Sequence, residues 1–227
     1  MKIFRLVAAI CISAFSYSVF AQTSTQERNL EPFDKVRITN EVNVILTKGE
    51  AEKLRIEAKG IPVEDILTDI DAKTLEITLK RGVYKDIQVD VYLTYVELRD
   101  VYVSASGRAS IQDVLTGDKV VFSATTNGQI DAKVDLKTVD IIASKAGLIR
   151  LEGNIGSYVA KVSTAANLSA LDLKADTAFV DVNTKAIAKV IANNLLEADV
   201  RSGATLTIGN APKDKKIKTG FGATIIE

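Results

Sequence analysis

Large aliphatic residues recur every 19 positions through the second half of this 227-residue chain. Eight residues before each of them lies another apolar residue, so two hydrophobic columns run in parallel. A fixed period of about 20 residues is the signature of a stacked-repeat architecture, in which each repeat packs against its neighbours. The first column contains Ile111, Ile130, Ile149, Leu168, Ile187, Leu206 and Ile225, and the second contains Val103, Phe122, Ile141, Ala160, Phe179, Ala198 and Ile217.

The repeats read as strands rather than helices. From about residue 99 each unit has an alternating apolar stretch, a small-residue corner and a second alternating stretch. This pattern predicts an all-β chain, folded as a single-stranded parallel β-solenoid (β-helix) with 19-residue coils about 4.8 Å apart. One unit is displaced by one residue, which predicts a bulge near Lys185. The corner column contains Ala109, Gly128, Gly147, Ala166, Lys185, Ala204 and Ala223.

Charged residues support the same stacking. Opposite charges lie 19 positions apart at six places, and side chains on adjacent coils are about 5 Å apart, where opposite signs attract. The pairs are therefore evidence for the register of the coils, but they add little to stability, since exposed ion pairs contribute little free energy. The six pairs are Asp100–Lys119, Asp118–Lys137, Asp131–Arg150, Lys133–Glu152, Glu197–Lys216 and Asp199–Lys218.

The residues before the repeats divide into three parts. Residues 1–21 combine Lys2 and Arg5 with an apolar run that ends at Ala21, which is typical of a secretory signal peptide. Residues 22–32 are polar and aperiodic, and predict a flexible leader. Residues 33–98 alternate as strands do and predict a β-rich cap on the solenoid at 99–227, with one short helix over residues 62–70. A lipid anchor at Cys11 is the alternative at the N-terminus.

Composition excludes several functions. Without residues 1–21 the chain has 27 basic and 29 acidic residues, which argues against nucleic acid as a partner. The chain has no histidine, so serine–histidine catalysis and histidine metal sites are excluded. Near Glu152 and Asp172 the acids do not continue onto a third coil, so we expect no metal site, no cofactor and no enzymatic activity. No apolar stretch is long enough for a transmembrane span.

Two further clusters have a structural and a functional interpretation. Four tyrosines over residues 84–102 suggest a platform for sugar, but the period favours a role in capping the core. Lysines over residues 213–218 suggest contact with anionic lipid or glycan, but lysine on a terminal strand also discourages end-to-end stacking. The tyrosines are Tyr84, Tyr92, Tyr95 and Tyr102.

Several segments resemble the head GIN domain family of auto-transporter adhesins. They are Phe33-Asp34-Lys35-Val36, the run from Val42 to Gly49, Leu75-Glu76-Ile77 and the run from Ala170 to Ala175, followed by repeats with small corners. The resemblance covers residues 33–227. It implies a β-rich adhesin of the Gram-negative envelope whose Gly-Ser-Gly corners form a binding face. Here the matching corners read Ala105-Ser106-Gly107, Thr126-Asn127-Gly128, Ala146-Gly147, Ser202-Gly203 and Gly220-Phe221-Gly222.

Polar residues beside the small corners are the candidate binding residues. Because corners of successive coils stack, we expect these side chains to form one long exposed strip that suits an extended partner. The alternative is that they only satisfy the backbone of the turns. The candidates are Ser106, Arg108, Asn127, Gln129, Lys145 and Asn167.

The sequence therefore predicts a non-catalytic binding or adhesion module that is exported to the periplasm, the outer membrane or the cell surface. Its partner is an envelope protein or glycan of unknown identity. A periplasmic accessory or structural protein that docks another envelope protein is the alternative function.

Overall fold

The computed structural model describes residues 23–227, and nearly every element in that range is a β-strand. The predicted signal peptide at residues 1–21 lies outside the described residues. The strands are β1 (Ser24–Asn29), β2 (Lys35–Ile38), β3 (Asn43–Lys48), β4 (Lys53–Lys59), β5 (Ile66–Asp71), β6 (Thr74–Leu79), β7 (Gln88–Tyr95), β8 (Asp100–Val103), β9 (Arg108–Thr125), β10 (Gln129–Ser144), β11 (Leu148–Val162), β12 (Asn167–Val182), β13 (Ile187–Val190), β14 (Leu195–Val200), β15 (Thr205–Ile208), β16 (Asp214–Thr219) and β17 (Thr224–Ile226).

The strands form a β-solenoid with two faces, which confirms the predicted fold class. Each coil leaves a tight turn, runs along the front face, bends, and returns along the back face to the next turn. Strands β9 to β12 each cover both faces. The front face has the order β17-β15-β13-β12-β11-β10-β9-β3-β7-β4-β1, and the back face has the order β16-β14-β12-β11-β10-β9-β8-β2-β6-β5.

One hydrophobic core lies between the two faces. Ile149 of the front face and Phe122 of the back face are both 0 % exposed. Apolar burial contributes roughly 1.5–3 kcal/mol for each large side chain, so these inward columns supply most of the stability of the stack. The outward residues alternate with them and are polar for the most part, as expected for strands with one buried face.

The N-terminal part extends both faces instead of forming a separate layer. Strands β2 and β3 form a coil beside β8 and β9, while β6 and β7 continue the stack beyond them. Antiparallel strands β1, β4 and β5 end the stack on this side. At the other end, the lysine-rich β16 is the edge strand of the back face.

Two local predictions in this part are wrong. Residues 24–29 of the predicted flexible leader form β1, whose backbone pairs with β4 from Ser24–Ala58 to Asn29–Lys53. The segment is ordered because its backbone pairs with an edge strand, and such pairing does not require alternating apolar residues in the sequence. The helix expected over residues 62–70 is only a 3-10 turn at Val63–Asp65, after which β5 begins.

The 19-residue register holds over most of the solenoid but changes in two coils. In the first coil β9 has two extra residues near 111–113, so Ala109 lies opposite Ile130 in place of Ile111. In the displaced coil β12 has one extra residue near position 171, so Ala188 replaces Ile187 in the column. The predicted bulge is therefore present, about 14 residues before Lys185. The connection between β13 and β14 restores the register.

The same shifts change the second column. Val101 lies opposite Phe122 where Val103 was expected. Val180 takes the place expected for Phe179 in this column, between Ala160 on the coil before it and Ala198 on the coil after it. As a result Phe179 points outward and is 39 % exposed, whereas Val180 is 4 % exposed.

This displacement predicts the effect of a charge at position 179. We expect Phe179→Lys to change the free energy of unfolding by less than about 1 kcal/mol, because the new ammonium faces solvent and Glu197 on the next coil. A strict 19-residue period would bury that ammonium at a cost of several kcal/mol. Urea denaturation distinguishes the two registers, and a large loss of stability would contradict the structure.

Most of the charge ladder forms as predicted. Lys137 bonds Asp118 at 2.6 Å, Arg150 bonds Asp131 at 3.0 Å and Lys133 bonds Glu152 at 2.8 Å. Glu197–Lys216 and Asp199–Lys218 lie opposite each other in register. The predicted pair of Asp100 with Lys119 is wrong, because the shifted first coil places Asp100 opposite Val121.

Candidate binding surface

Within residues 104–224, seven tight turns stack along one edge of the solenoid, and we call these turns, together with the residue that follows each of them, the turn ridge. Each turn is closed by a hydrogen bond in which its fourth residue donates to the carbonyl oxygen of its first, as Gly128 donates to Thr125 at 2.9 Å. The ridge carries five of the seven predicted corner residues on one line, whereas Ala109 lies opposite Ile130 and Lys185 is a central residue of its turn. The turns span residues 104–107, 125–128, 144–147, 163–166, 183–186, 201–204 and 220–223.

The backbone of the turn ridge is strained. In the first six turns both central residues have positive φ, the pattern of type I′ turns. Glycine and asparagine adopt this conformation most readily. Residues other than glycine nevertheless occupy eleven of these twelve positions, so most of these turns carry backbone strain. Threonine stands at the first central position of three turns, with φ of 51–53°. These residues are Thr126, Thr164 and Thr184.

Hydrogen bonds between turns offset this strain. The amide of the second central residue donates to the carbonyl oxygen of the first central residue on the next coil. Asn127 donates to Lys145 at 3.1 Å, and Ala165 donates to Thr184 at 2.9 Å. Because these bonds fix each turn against its neighbour, the ridge is a rigid row of side chains rather than a set of independent loops.

A small residue follows each pair of central residues for a steric reason. A Cβ atom at Gly128 would overlap the carbonyl oxygen of Val103, and one at Gly147 would overlap that of Ala124. Later coils leave room for one methyl group, and Ala166 is 0 % exposed. The corner column is therefore small because adjacent backbones approach closely. In the shifted coils it passes through Gly107 and Ala186.

The six predicted binding residues all lie on the turn ridge. Ser106 and Asn127 occupy second central positions, and Lys145 occupies a first central position. The other three follow the small residue at the start of a front-face strand, where Gln129 is opposite Arg108. Asn167 is two coils from Gln129, with Leu148 between them. Gln129 and Asn167 are half-buried, and the other four are exposed.

Charged groups at one end of the turn ridge hold each other in place. Arg201, the first residue of the sixth turn, bonds Asp199 at 2.7 Å and Asp181 at 2.8 Å. Hydrogen bonds to these two carboxylates raise the pKa of Arg201 above its ordinary value. Asn183 also donates to Asp181 at 2.7 Å, so this carboxylate joins two coils. Arg108 and Lys145, towards the other end, remain as exposed cations.

The tyrosine cluster does not behave as one unit. Tyr95 is 1 % exposed, and burial together with the charge of Asp113 raises its pKa to about 12. Tyr92 is 36 % exposed on the outer side of β7, so its expected place in the core is wrong. The guanidinium of Arg55 lies 4.2 Å from the centre of the Tyr92 ring, and that of Arg37 lies 4.5 Å from the Tyr102 ring. Both rings are covered by cations.

Sequence reasoning missed an apolar patch on the outer back face. Val159 and Phe179 lie opposite each other in register, and Ile142 is on the coil before Val159. These side chains are 42 %, 39 % and 44 % exposed respectively. The alternation of Ala178, Val180 and Val182 was the available signal, because it places Phe179 outside the core.

Residues 23–227 contain no cluster of three acidic or cysteine side chains that could hold a metal ion. Glu152 and Asp172 are opposite each other in register, but Lys133 bonds Glu152. Within the same range no helix has the length and hydropathy of a membrane span.

Several solved structures share this fold. An adhesin-like protein from Bacteroides fragilis NCTC 9343, described as a putative adhesin, has a TM-score of 0.78 and 17 % identity over 91 % of this chain and 97 % of that one. A putative adhesin from Parabacteroides distasonis ATCC 8503 has a TM-score of 0.69 and 16 % identity, covering 92 % and 98 %. A protein described as a putative lipid binding protein from the same organism has a TM-score of 0.64 and 15 % identity, also covering 92 % and 98 %.

No curated protein matches this chain significantly. A family model described as "putative auto-transporter adhesin, head GIN domain" matches residues 32–212. That range contains strands β2 to β15 and six of the seven turns of the ridge. The match confirms the resemblance seen in the sequence, and the chain belongs to the head GIN domain family of auto-transporter adhesins.

Proposed function

We propose that this protein is a non-catalytic binding module of the adhesin type, exported to the bacterial envelope, and that its turn ridge contacts the partner. The observation that carries the proposal is the row of non-glycine residues at positive φ. Backbone strain of about 1–3 kcal/mol per residue persists only where the surrounding structure enforces it, and such residues cluster at binding sites. The rigid row also presents its side chains at the spacing of the coils, which suits an extended ligand.

The chemistry of the turn ridge favours a polar partner. Most of its exposed side chains are hydroxyls, one amide and cations, which together donate and accept hydrogen bonds, and the large exposed apolar ones are Ile187 and Phe221. Family membership supports the adhesin role. The exposed polar groups are those of Ser106, Arg108, Thr126, Asn127, Lys145, Thr164, Thr184, Lys185, Ser202 and Thr224.

A binding screen tests this proposal. Residues 22–227 are immobilised and exposed to defined glycans and to extracts of outer membrane, peptidoglycan and periplasm from a Gram-negative bacterium. We expect saturable binding to at least one envelope component. The same chain unfolded in urea and rapidly diluted serves as the control for non-specific adsorption. Equal capture by the folded and unfolded samples, or no capture by either, would contradict a binding function.

One observation favours a second function, that of a periplasmic accessory protein. The apolar patch of Ile142, Val159 and Phe179 suits a protein surface better than a glycan, because protein interfaces bury apolar side chains at their centre. Antibody labelling of intact cells distinguishes the two functions. Exposed epitopes support the adhesin, whereas labelling only after the outer membrane is opened supports the accessory protein.

Export gives a separate prediction. We expect the exported protein to begin at or near Gln22, because Ala21 ends the signal-peptide pattern of residues 1–21. Cleavage there would leave β1 intact, since this strand begins at Ser24. N-terminal sequencing of the protein from the periplasm or cell surface checks the result. A cytoplasmic protein that retains Met1 would contradict export.

A further inference from the structure

A polar groove of about 390 Å³ lies on the outer front face, beside the turn ridge. Strands β9 to β12 form it, and both register shifts of the solenoid occur in it. The pairing of β10 with β9 shifts between Asp131 and Lys133, and that of β11 with β12 shifts between Arg150 and Glu152. Bulges are often found beside binding sites, because an extra residue redirects the side chains of its strand.

Four charged side chains of alternating sign occupy the middle of the groove. Arg150 bonds Asp131 at 3.0 Å, and Lys133 bonds Glu152 at 2.8 Å. Each residue also has an opposite charge two positions away on its own strand, so the four groups form a square. All four side chains are about half exposed, and the hydrogen bond to Glu152 raises the pKa of Lys133.

Four further polar side chains and several apolar residues complete the groove. Ser110 and Gln112 line one side, while Ser169 and Asp172 line the other. Leu151 contributes to the lining although it is only 3 % exposed, as do the largely buried Ile111 and Ala132. These apolar side chains belong to the core, so the surface that the groove offers a ligand consists mainly of its hydrogen-bonding groups.

From this arrangement we infer that the groove binds one or two rings of a neutral saccharide. A sugar hydroxyl both donates and accepts, so it fits between a carboxylate and a cation without displacing either. A charged ligand gains less, because the cations and two of the three carboxylates are already paired with each other. This inference rests on the proposed binding function and adds to the turn ridge a neighbouring site with its own ligand class.

The test uses residues 22–227 and an array of defined neutral, anionic and cationic oligosaccharides. We expect neutral oligosaccharides to bind. The double variant Asp131→Asn/Glu152→Gln keeps the shape of both side chains but removes two charged acceptors. We expect it to weaken the binding of the best neutral oligosaccharide by about tenfold or more in calorimetric titration.

The solenoid provides a matched control variant. Asp118→Asn/Asp140→Asn removes the carboxylates of two other ion pairs on neighbouring coils, those with Lys137 and Lys119. We expect this variant to bind the same oligosaccharide within about twofold of the wild type, and both variants to have similar thermal midpoints because all four pairs are exposed.

The outcomes separate this inference from the proposed function. Binding of anionic oligosaccharides only, equal loss in both double variants, or capture of an envelope protein without any saccharide binding would overturn the saccharide site. In the last case the binding function would stand. If the chain captures no envelope component of any kind, both the proposed function and the saccharide site fail.

Discussion

Ile149→Asp unfolds the protein or nearly does so. The wild-type side chain is 0 % exposed and lies between Ile130 and Leu168 of the adjacent coils. The substitution removes a buried aliphatic side chain, worth about 2–5 kcal/mol, and buries a carboxylate without a partner at further cost. Since domains of this size are stable by about 5–15 kcal/mol, we expect little or no folded protein. Circular dichroism and urea denaturation at neutral pH measure the loss.

Ile142→Asp is the matched control for this prediction. It makes the same chemical change 7 residues earlier, but Ile142 is 44 % exposed on the outer back face and lies opposite Lys161 of the next coil. We expect a change in unfolding free energy within about 1 kcal/mol. If the two variants were equally stable, the inward and outward assignments of β10 and β11 would be wrong.

Gly153→Ala is expected to have the second largest effect. Gly153 lies in the bend between the two faces and has φ of +118°, a value that residues other than glycine adopt only with strain. A Cβ atom there would overlap the carbonyl oxygen of Val134 on the preceding coil. The variant therefore combines backbone strain of about 1–3 kcal/mol with overpacking of similar size, and we expect a loss of about 4 kcal/mol.

Gly117→Ala separates these two contributions. Gly117 has φ of +151° at the same edge of the solenoid, but its Cβ would lie 3.7 Å from the nearest atom, a methyl carbon of Leu136. It therefore adds strain without a clash. We expect urea denaturation to give a loss about 2 kcal/mol smaller than for Gly153→Ala. Equal losses would mean that adjacent coils can move apart at the bend without cost.

The stacked coils could be predicted because the same type of residue recurs at the same position of each repeat. Inward residues of adjacent coils lie opposite each other, so Ile130, Ile149 and Leu168 show the period directly. The off-phase alternation around Val180 likewise revealed that one coil is displaced. Both signals are local properties of the chain, which need no knowledge of distant contacts.

The misplaced residues depend on pairing partners that the local pattern does not contain. Ile111 is apolar and buried in either register, so its own sequence does not reveal the two extra residues in β9. The polar strand β1 is ordered by hydrogen bonds to β4, whose Ile56 lies opposite Gln26 although the two residues are 30 positions apart in the sequence. Such edge pairing depends on backbone groups that every residue shares.

One part of the candidate binding surface could be predicted from the sequence and the other could not. The position of the turn ridge followed from the small corner residues, such as Gly147. The groove did not, because Asp131 and Arg150 look the same in sequence whether they form a plain ladder or line a concave site. The bulges beside them decide this, and bulges in strands with continuous alternation leave little trace.

The most direct test of the turn ridge as the binding surface is a triple substitution. In Arg108→Ala/Gln129→Ala/Lys145→Ala, two exposed cations and one amide are removed from three consecutive coils. Surface changes of this kind leave stability nearly unaltered. We expect the variant to bind an immobilised outer-membrane extract about tenfold more weakly than the wild type, which corresponds to about 1.4 kcal/mol.

A control on the opposite edge removes the same types of group. Lys137→Ala/Asn154→Ala/Lys174→Ala also loses two exposed cations and one amide, from β10, β11 and β12. The account predicts that this control binds the extract within about twofold of the wild type, while the ridge variant loses about tenfold at the same thermal midpoint. Unchanged binding by the ridge variant, or an equal loss in the control, would contradict the turn ridge as the binding surface.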